Sequence, residues 1–171
     1  TEYRMSDADY KNINNIIYMF CVACEKAAVT YAKLSEEEIR DTLLSVLNTH
    51  YENATGETFR KKGKTDILIE FGNKAGFVAE CKIWHGQEGF TKAIDQLFGY
   101  ITWRDCKASL IIFNKQNKNF TAVRQSINEW IKTNSTQSNQ TKANMWECTL
   151  RKNDSDEYVE LNISVYDLYI D

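Results

Sequence analysis

The sequence predicts an α/β domain, and three observations carry the prediction. Short apolar runs of strand length recur at Ile67–Ile69, Gly76–Trp84 and Ser109–Asn114. Stretches with apolar residues at helical spacing separate and flank them. The first two runs also carry charge where a core strand should have none: Asp66 opens one, and Glu80-Cys81-Lys82 sits inside the other.

Taken in order, the spacing predicts a helix over 7–32, opened by Ser6 or Asp7, and a second over 36–50. Ser35-Glu36-Glu37-Glu38 reads as a capping box with Glu38 as the partner of Ser35. Ile39, Leu43, Val46, Leu47 and His50 form one face behind it. Strands are expected at 65–71 and 77–84, joined by the short loop Gly72–Gly76. Phe90, Ala93, Ile94, Leu97, Phe98 and Ile101 make a helical stripe over 88–104. The continuous apolar run over 109–114 fits a central strand. Phe120, Val123, Ile127, Trp130 and Ile131 predict a helix over 119–133. Residues 133–142, rich in Ser, Thr, Asn and Gln, read as a mobile loop. The alternating runs 146–150 and 158–163 predict a terminal hairpin or pair of added strands, continued over 165–170.

Successive strand side chains point to opposite faces. Val78, Glu80, Lys82 and Trp84 therefore share one face, and Phe77, Ala79, Cys81 and Ile83 share the other. An antiparallel pairing that sets Asp66 opposite Glu80 or Lys82 gathers all three charges on one side. Such charges must be paired or bound to something charged. Two carboxylates and an ammonium suit a divalent cation beside a phosphate. Hard cations take carboxylate oxygens, phosphate oxygens and water, and such a cation acidifies bound water. Asp66 and Glu80 are the candidate ligands, with the Cys81 backbone carbonyl beside them. Lys82 would orient or deprotonate the water, or stabilise transition-state charge. A plain cross-strand ion pair is the competing account.

The stretches Gly63-Lys64-Thr65-Asp66-Ile67, Ala79-Glu80-Cys81-Lys82 and Gln96-Leu97-Phe98-Gly99-Tyr100 resemble the PD-(D/E)XK, restriction-endonuclease-like nuclease superfamily. The match covers about residues 35–133. The proline that names the motif is absent: Thr65 precedes Asp66, and the chain has no proline. The resemblance implies an αβββαβ core, a central mixed sheet flanked by helices. Residues 1–34 would add an N-terminal helix, and 143–171 a C-terminal β extension, to a single domain spanning 1–171. It implies Mg²⁺ or Mn²⁺ dependence and phosphodiester hydrolysis, with Asp66 and Glu80 as metal ligands and Lys82 as the catalytic lysine. Gln96 and Tyr100, one helical turn apart, match a Gln-x-x-x-Tyr of RecB-type members. There Gln96 would help position DNA or the lysine. The family often aims a Glu of its first core helix at the metal; Glu36 is the candidate and Glu37 the alternative. Such domains occur in bacterial defence and mobile-element proteins, often fused to sensor modules.

Arg60-Lys61-Lys62-Gly63-Lys64 places four cations next to Asp66, where they suit a phosphate backbone or simply a solvated loop. The net charge of −3 excludes a general nucleic-acid coat protein but admits a local basic patch. A hydrophobic content of 43% in 171 residues is enough for one proper core. No stretch is long and apolar enough to span a membrane, and no signal peptide is visible. Five cysteines, an odd number, fit a reducing cytosol. Cys21-Val22-Ala23-Cys24 has metal-ligand spacing but lies on a helical stripe with no second pair. His50 and His85 do not form a histidine-based metal set. The Thr start reads as a piece of something longer, a truncated sensor among the options.

The expected function is a metal-dependent nuclease of the cytoplasm, acting on DNA before RNA, in defence or restriction. Its expected partners are nucleic acid, a second copy as a homodimer, and a fused or associated sensor domain. The alternatives are an RNase on the same fold and an inactive module that binds nucleic acid or protein.

Overall fold

The computed structural model describes residues 5–55, 59–63, 66–71, 74–101, 107–152 and 156–171. Five helices and seven strands appear among them: α1 (Asp7–Lys26), α2 (Ala28–Tyr31), α3 (Glu36–Thr55), β1 (Arg60–Lys62), β2 (Asp66–Phe71), β3 (Lys74–Ile83), α4 (Gln87–Tyr100), β4 (Lys107–Asn114), α5 (Phe120–Asn134), β5 (Gln137–Lys142), β6 (Met145–Arg151) and β7 (Tyr158–Asp167). The strands form one mixed sheet in the order β1-β2-β3-β4-β7-β6-β5. β3, β4 and β7 run parallel in its centre, and antiparallel pairs extend it on both sides. The chain is an α/β protein with a seven-stranded mixed sheet flanked by helices.

Strand parity divides the core. Ile67, Ile69, Phe77, Ala79, Cys81, Ile111 and Phe113 pack with Ile13, Ile17, Ile39, Leu43 and Leu47 of α1 and α3. Leu68, Val78, Leu110 and Ile112 pack the other way, against Phe90, Ile94 and Leu97 of α4 and Val123, Ile127 and Ile131 of α5. The sheet is thus buried on both faces where it is parallel, which is why β4 reads as an unbroken apolar run.

Caps set the helix starts. Ser6 Oγ accepts from the Asp9 amide at 3.1 Å. Ser35 and Glu38 form the expected capping box, each side chain accepting from the other's amide at 3.1 Å. Asn119 Oδ1 accepts from the Ala122 amide.

Several boundaries differ from the sequence expectation. The first helix breaks at Ala27 (φ −118°, ψ 39°) into α1 and α2. α3 runs on to Thr55. α4 stops at Tyr100, and residues 102–106 lie outside the described residues. The basic stretch is not wholly loop: Arg60–Lys62 forms β1, an edge strand on which the charged Arg60 and Lys61 are exposed.

One correction is larger. Residues 137–142, expected as a mobile loop, form β5. All six side chains are exposed, so no hydrophobic period marks it, and its pairing with β6 holds it. The expected C-terminal pair of strands is present as β6 and β7, and it continues the central sheet. β7 lies parallel to β4, from Ala108↔Leu161 to Asn114↔Asp167, and Leu161, Ile163 and Val165 join the α4–α5 core. No helix among the described residues is long and apolar enough to cross a membrane.

Candidate active site

The register of one strand pair builds the site. β2 and β3 run antiparallel with Asp66 directly opposite Glu80, Ile67 opposite Ala79 and Leu68 opposite Val78. Directly opposed side chains stand about 4.5–5.5 Å apart at Cβ and share a face. Both carboxylates are fully buried, at 0% and 1% exposure. Lys82 lies two residues further along the same face, near the C-terminal end of β3. Its side chain is 32% exposed. Cys81 points the other way, into the α1–α3 core.

Helix α4 supplies the roof. Gln96 and Tyr100 are one turn apart and therefore aim alike. Gln96 Nε2 donates to Asp66 Oδ2 at 3.2 Å. The Tyr100 hydroxyl also donates to the Asp66 carboxylate. Asp66 Oδ1 is buried and meets no hydrogen-bond partner among the described residues. Burial pushes the Asp66 carboxyl up to about 6; the Tyr100 and Gln96 hydrogen bonds and the charge of Arg40 pull against that rise. Burial and then the charge of Asp66 in turn raise the Tyr100 hydroxyl.

Gly63, unremarked in the sequence beyond its place in the motif, packs against this pair. Its φ is +59°, in the left-handed region. A Cβ there would lie 2.9 Å from the Tyr100 hydroxyl and 3.0 Å from Asp66 Oδ2. Backbone conformation and space both require glycine.

Glu36 enters from the start of α3. Its Oε1 accepts from the Ile83 amide at 2.9 Å and lies 3.9 Å from Lys82 Nζ. It braces the strand end and the lysine, and does not complete a three-carboxylate cluster. Among the described residues, Asp, Glu, His and Cys side chains nowhere converge in threes around a metal-sized space. Glu37 is exposed. The donor set is therefore two opposed carboxylates, which fits a hard cation that fills its remaining positions with water and phosphate oxygens. The unpartnered Asp66 Oδ1 is the atom such an ion would satisfy.

The other candidates fall outside this cluster. Lys61 pairs with Asp41 at 3.0 Å, and Arg60 is exposed on β1. The backbone of Lys62 pairs opposite Asp66. Lys64 lies outside the described residues. Lys115, a further cation just beyond β4, donates to the Leu34 carbonyl ahead of α3. His50 bonds through Nδ1 to the Val46 carbonyl of its own helix, and His85 is exposed beyond β3. Cys21 and Cys24 are buried in the α1–α3 core, where burial raises both thiols, Cys24 to about 12. They are packing residues and not thiolate ligands.

A polar groove of about 1220 Å³ opens elsewhere, between α1 and the β5–β7 face. Its charged lining residues Asp7, Lys11, Lys142, Glu147 and Glu160 nearly cancel, so it offers no cationic track for phosphates. No protein-family model, curated protein or solved structure matches the chain.

Two predictions test this geometry. Below the unfolded pKa of Asp66, about 4, the proton is bound in both states and the raised value costs nothing. As pH rises through about 6 the folded state loses stability, because ionised Asp66 is less well solvated inside. Asp66→Asn is therefore expected to stabilise the metal-free protein by about 1–3 kcal/mol above pH 7. Urea unfolding at pH 8 and pH 4 checks it: the gain should vanish at pH 4. Gly63→Ala is expected to destabilise by about 1–3 kcal/mol through its positive φ and the Tyr100 contact. The loss should shrink when Tyr100→Phe removes the hydroxyl, and an equal loss in both backgrounds would refute the contact.

Proposed function

We propose that the protein is a metal-dependent nuclease, hydrolysing phosphodiester bonds in DNA before RNA. The observation that carries this reading is the buried Asp66–Glu80 pair, in register across β2 and β3, with Lys82 two residues on. A protein keeps two opposed buried carboxylates at considerable cost, and a divalent cation removes that cost. The chain order α3-β1-β2-β3-α4-β4 also follows the αβββαβ order that the resemblance implies. On this reading the α1–α2 hairpin and β5–β7 are additions to a restriction-endonuclease-like core.

Asp66 and Glu80 would hold Mg²⁺ or Mn²⁺. When bound, the ion supplies acidified water and charge neutralisation at the phosphate. The remaining work falls to the protein's own side chains. Tyr100 and Gln96 fix the Asp66 carboxylate through Oδ2 and leave Oδ1 free for a ligand. With its carboxyl near 6, Asp66 is ionised at neutral pH and ready to coordinate. Lys82 reaches the partly open end of the site, where its ammonium can hold a water or a non-bridging phosphate oxygen. Glu36, 3.9 Å away, helps hold that ammonium in place. The exposed cations Arg60 and Lys61 on β1 add positive potential near the backbone of the substrate.

The test is cleavage of plasmid DNA, single-stranded DNA and RNA with Mg²⁺ or Mn²⁺, against EDTA controls. Metal-dependent cutting is expected, preferring DNA, and falling roughly 100-fold or more in Lys82→Ala. No cutting of any polymer by folded wild type would favour a nuclease-fold binding module instead.

A further inference from the structure

The groove between α1 and the β5–β7 face has a floor built by strand register. Ser109, Asn162, Glu147 and Asn139 stand opposite one another in turn, across β4, β7, β6 and β5. Directly opposed side chains share a face, so these four form one polar line across the sheet. It is the face that α1 covers: Ser109 Oγ donates to Asn14 Oδ1. The apolar neighbours Trp146, Cys148, Leu161 and Ile163 point the other way, into the α4–α5 core. Asn162 is 4% exposed, lines the groove, and its carboxamide meets no hydrogen-bond partner among the described residues. A buried carboxamide without a partner is costly, and this one sits where a ligand can reach it. Glu147 and Asn139 are exposed beside it. The groove is pinned at both ends. Lys107 pairs with Asp7 of α1 and Glu160 of β7, and Lys142 Nζ stands 4.5 Å over the Tyr18 ring.

We propose that this groove binds an uncharged oligosaccharide, laid across the strands with its hydroxyls on Asn162, Glu147 and Asn139. Neighbouring strands stand about 4.8 Å apart, close to the repeat of one sugar ring in an extended glycan. Each ring thus meets one carboxamide or carboxylate of the line. A carboxamide donates and accepts at once, and a carboxylate accepts from two donors, which suits adjacent ring hydroxyls. Other ligands fit less well. The lining charges, from Asp7, Glu147 and Glu160 against Lys11 and Lys142, give no track for a phosphate chain. The polar floor gives no bed for a lipid. A nucleobase needs an open ring to stack on, but Lys107 lies over Tyr10 and Lys142 over Tyr18. An extended peptide repeats about every 3.3 Å and falls out of step with the strands. The inference is independent of the nuclease reading, whose carboxylates lie on the opposite face of the sheet.

Titration of the ¹⁵N-labelled chain, followed by NMR, tests it, because the side-chain amides of Asn14, Asn139 and Asn162 report on the groove directly. The probes are maltotriose, cellotriose and chitotriose, with glucose, adenosine and a neutral Gly-Ser-Gly peptide for comparison. At least one trisaccharide is expected to shift these amides saturably, and to bind roughly tenfold or more tighter than glucose, which meets only one position of the line. Asn162→Ala and Asn139→Ala are each expected to weaken that binding by roughly tenfold. If Asn162→Ala cannot be obtained folded, Asn139→Ala, altered at an exposed side chain, decides alone. Groove amides that no trisaccharide shifts, or equal trisaccharide affinity in wild type and Asn139→Ala, would overturn the proposal. So would glucose, adenosine or the peptide binding as tightly as the best trisaccharide.

Discussion

Two carboxylates facing each other inside a sheet are the constraint on which the rest of the structure turns. Asp66 and Glu80 are opposed by the register of β2 on β3, and both are buried. Each would be cheap to hold at the surface; together and buried they need compensation. The surroundings supply it in pieces. α4 brings two hydrogen-bond donors to Asp66, and one oxygen of Asp66 meets no partner among the described residues. Compensation that stops one oxygen short suits a site meant to receive a cation.

The fold serves that pair closely. β3 lies between an antiparallel and a parallel neighbour, so its register is fixed on both sides. A slip of one residue would send Asp66 and Glu80 to opposite faces. Gly63 lets the chain turn from β1 into β2 directly beneath Tyr100, with no side chain between. Glu36 closes the end of β3 by taking up the Ile83 amide, and the same carboxylate steadies Lys82. The site is made almost wholly from rigid elements, α3, β2, β3 and α4, which preorganises it.

Much of this was legible in the residues, because period-2 parity is a strong signal where one face is charged. Charges at Asp66, Glu80 and Lys82 within apolar runs located the shared face. The i, i+4 spacing of Gln96 and Tyr100 placed both on one helix face; that they bond Asp66, and not DNA or Lys82, came from the packing of α4. Ser35 and Glu38 announced a cap that the structure contains. The misses have physical reasons. β5 carries no buried side chain, so nothing in Gln137–Lys142 distinguishes a strand from a loop. The expected C-terminal pair is present, but no local pattern could place its second strand, β7, beside β4. Its buried Asn and Ser belong to the sheet centre. Gly63 acts through tertiary proximity to Tyr100 and Asp66, which no local pattern encodes. The two-carboxylate geometry is the main argument for function.

The central claim is that Asp66 and Glu80 together form a divalent-cation site. Calorimetric titration of Mn²⁺ into wild type and into Glu80→Gln, at pH 7.5, measures it most directly. The account predicts saturable binding to wild type that Glu80→Gln weakens by roughly tenfold or more, with the variant still folded. No binding to folded wild type, or unchanged binding in the variant, would contradict it.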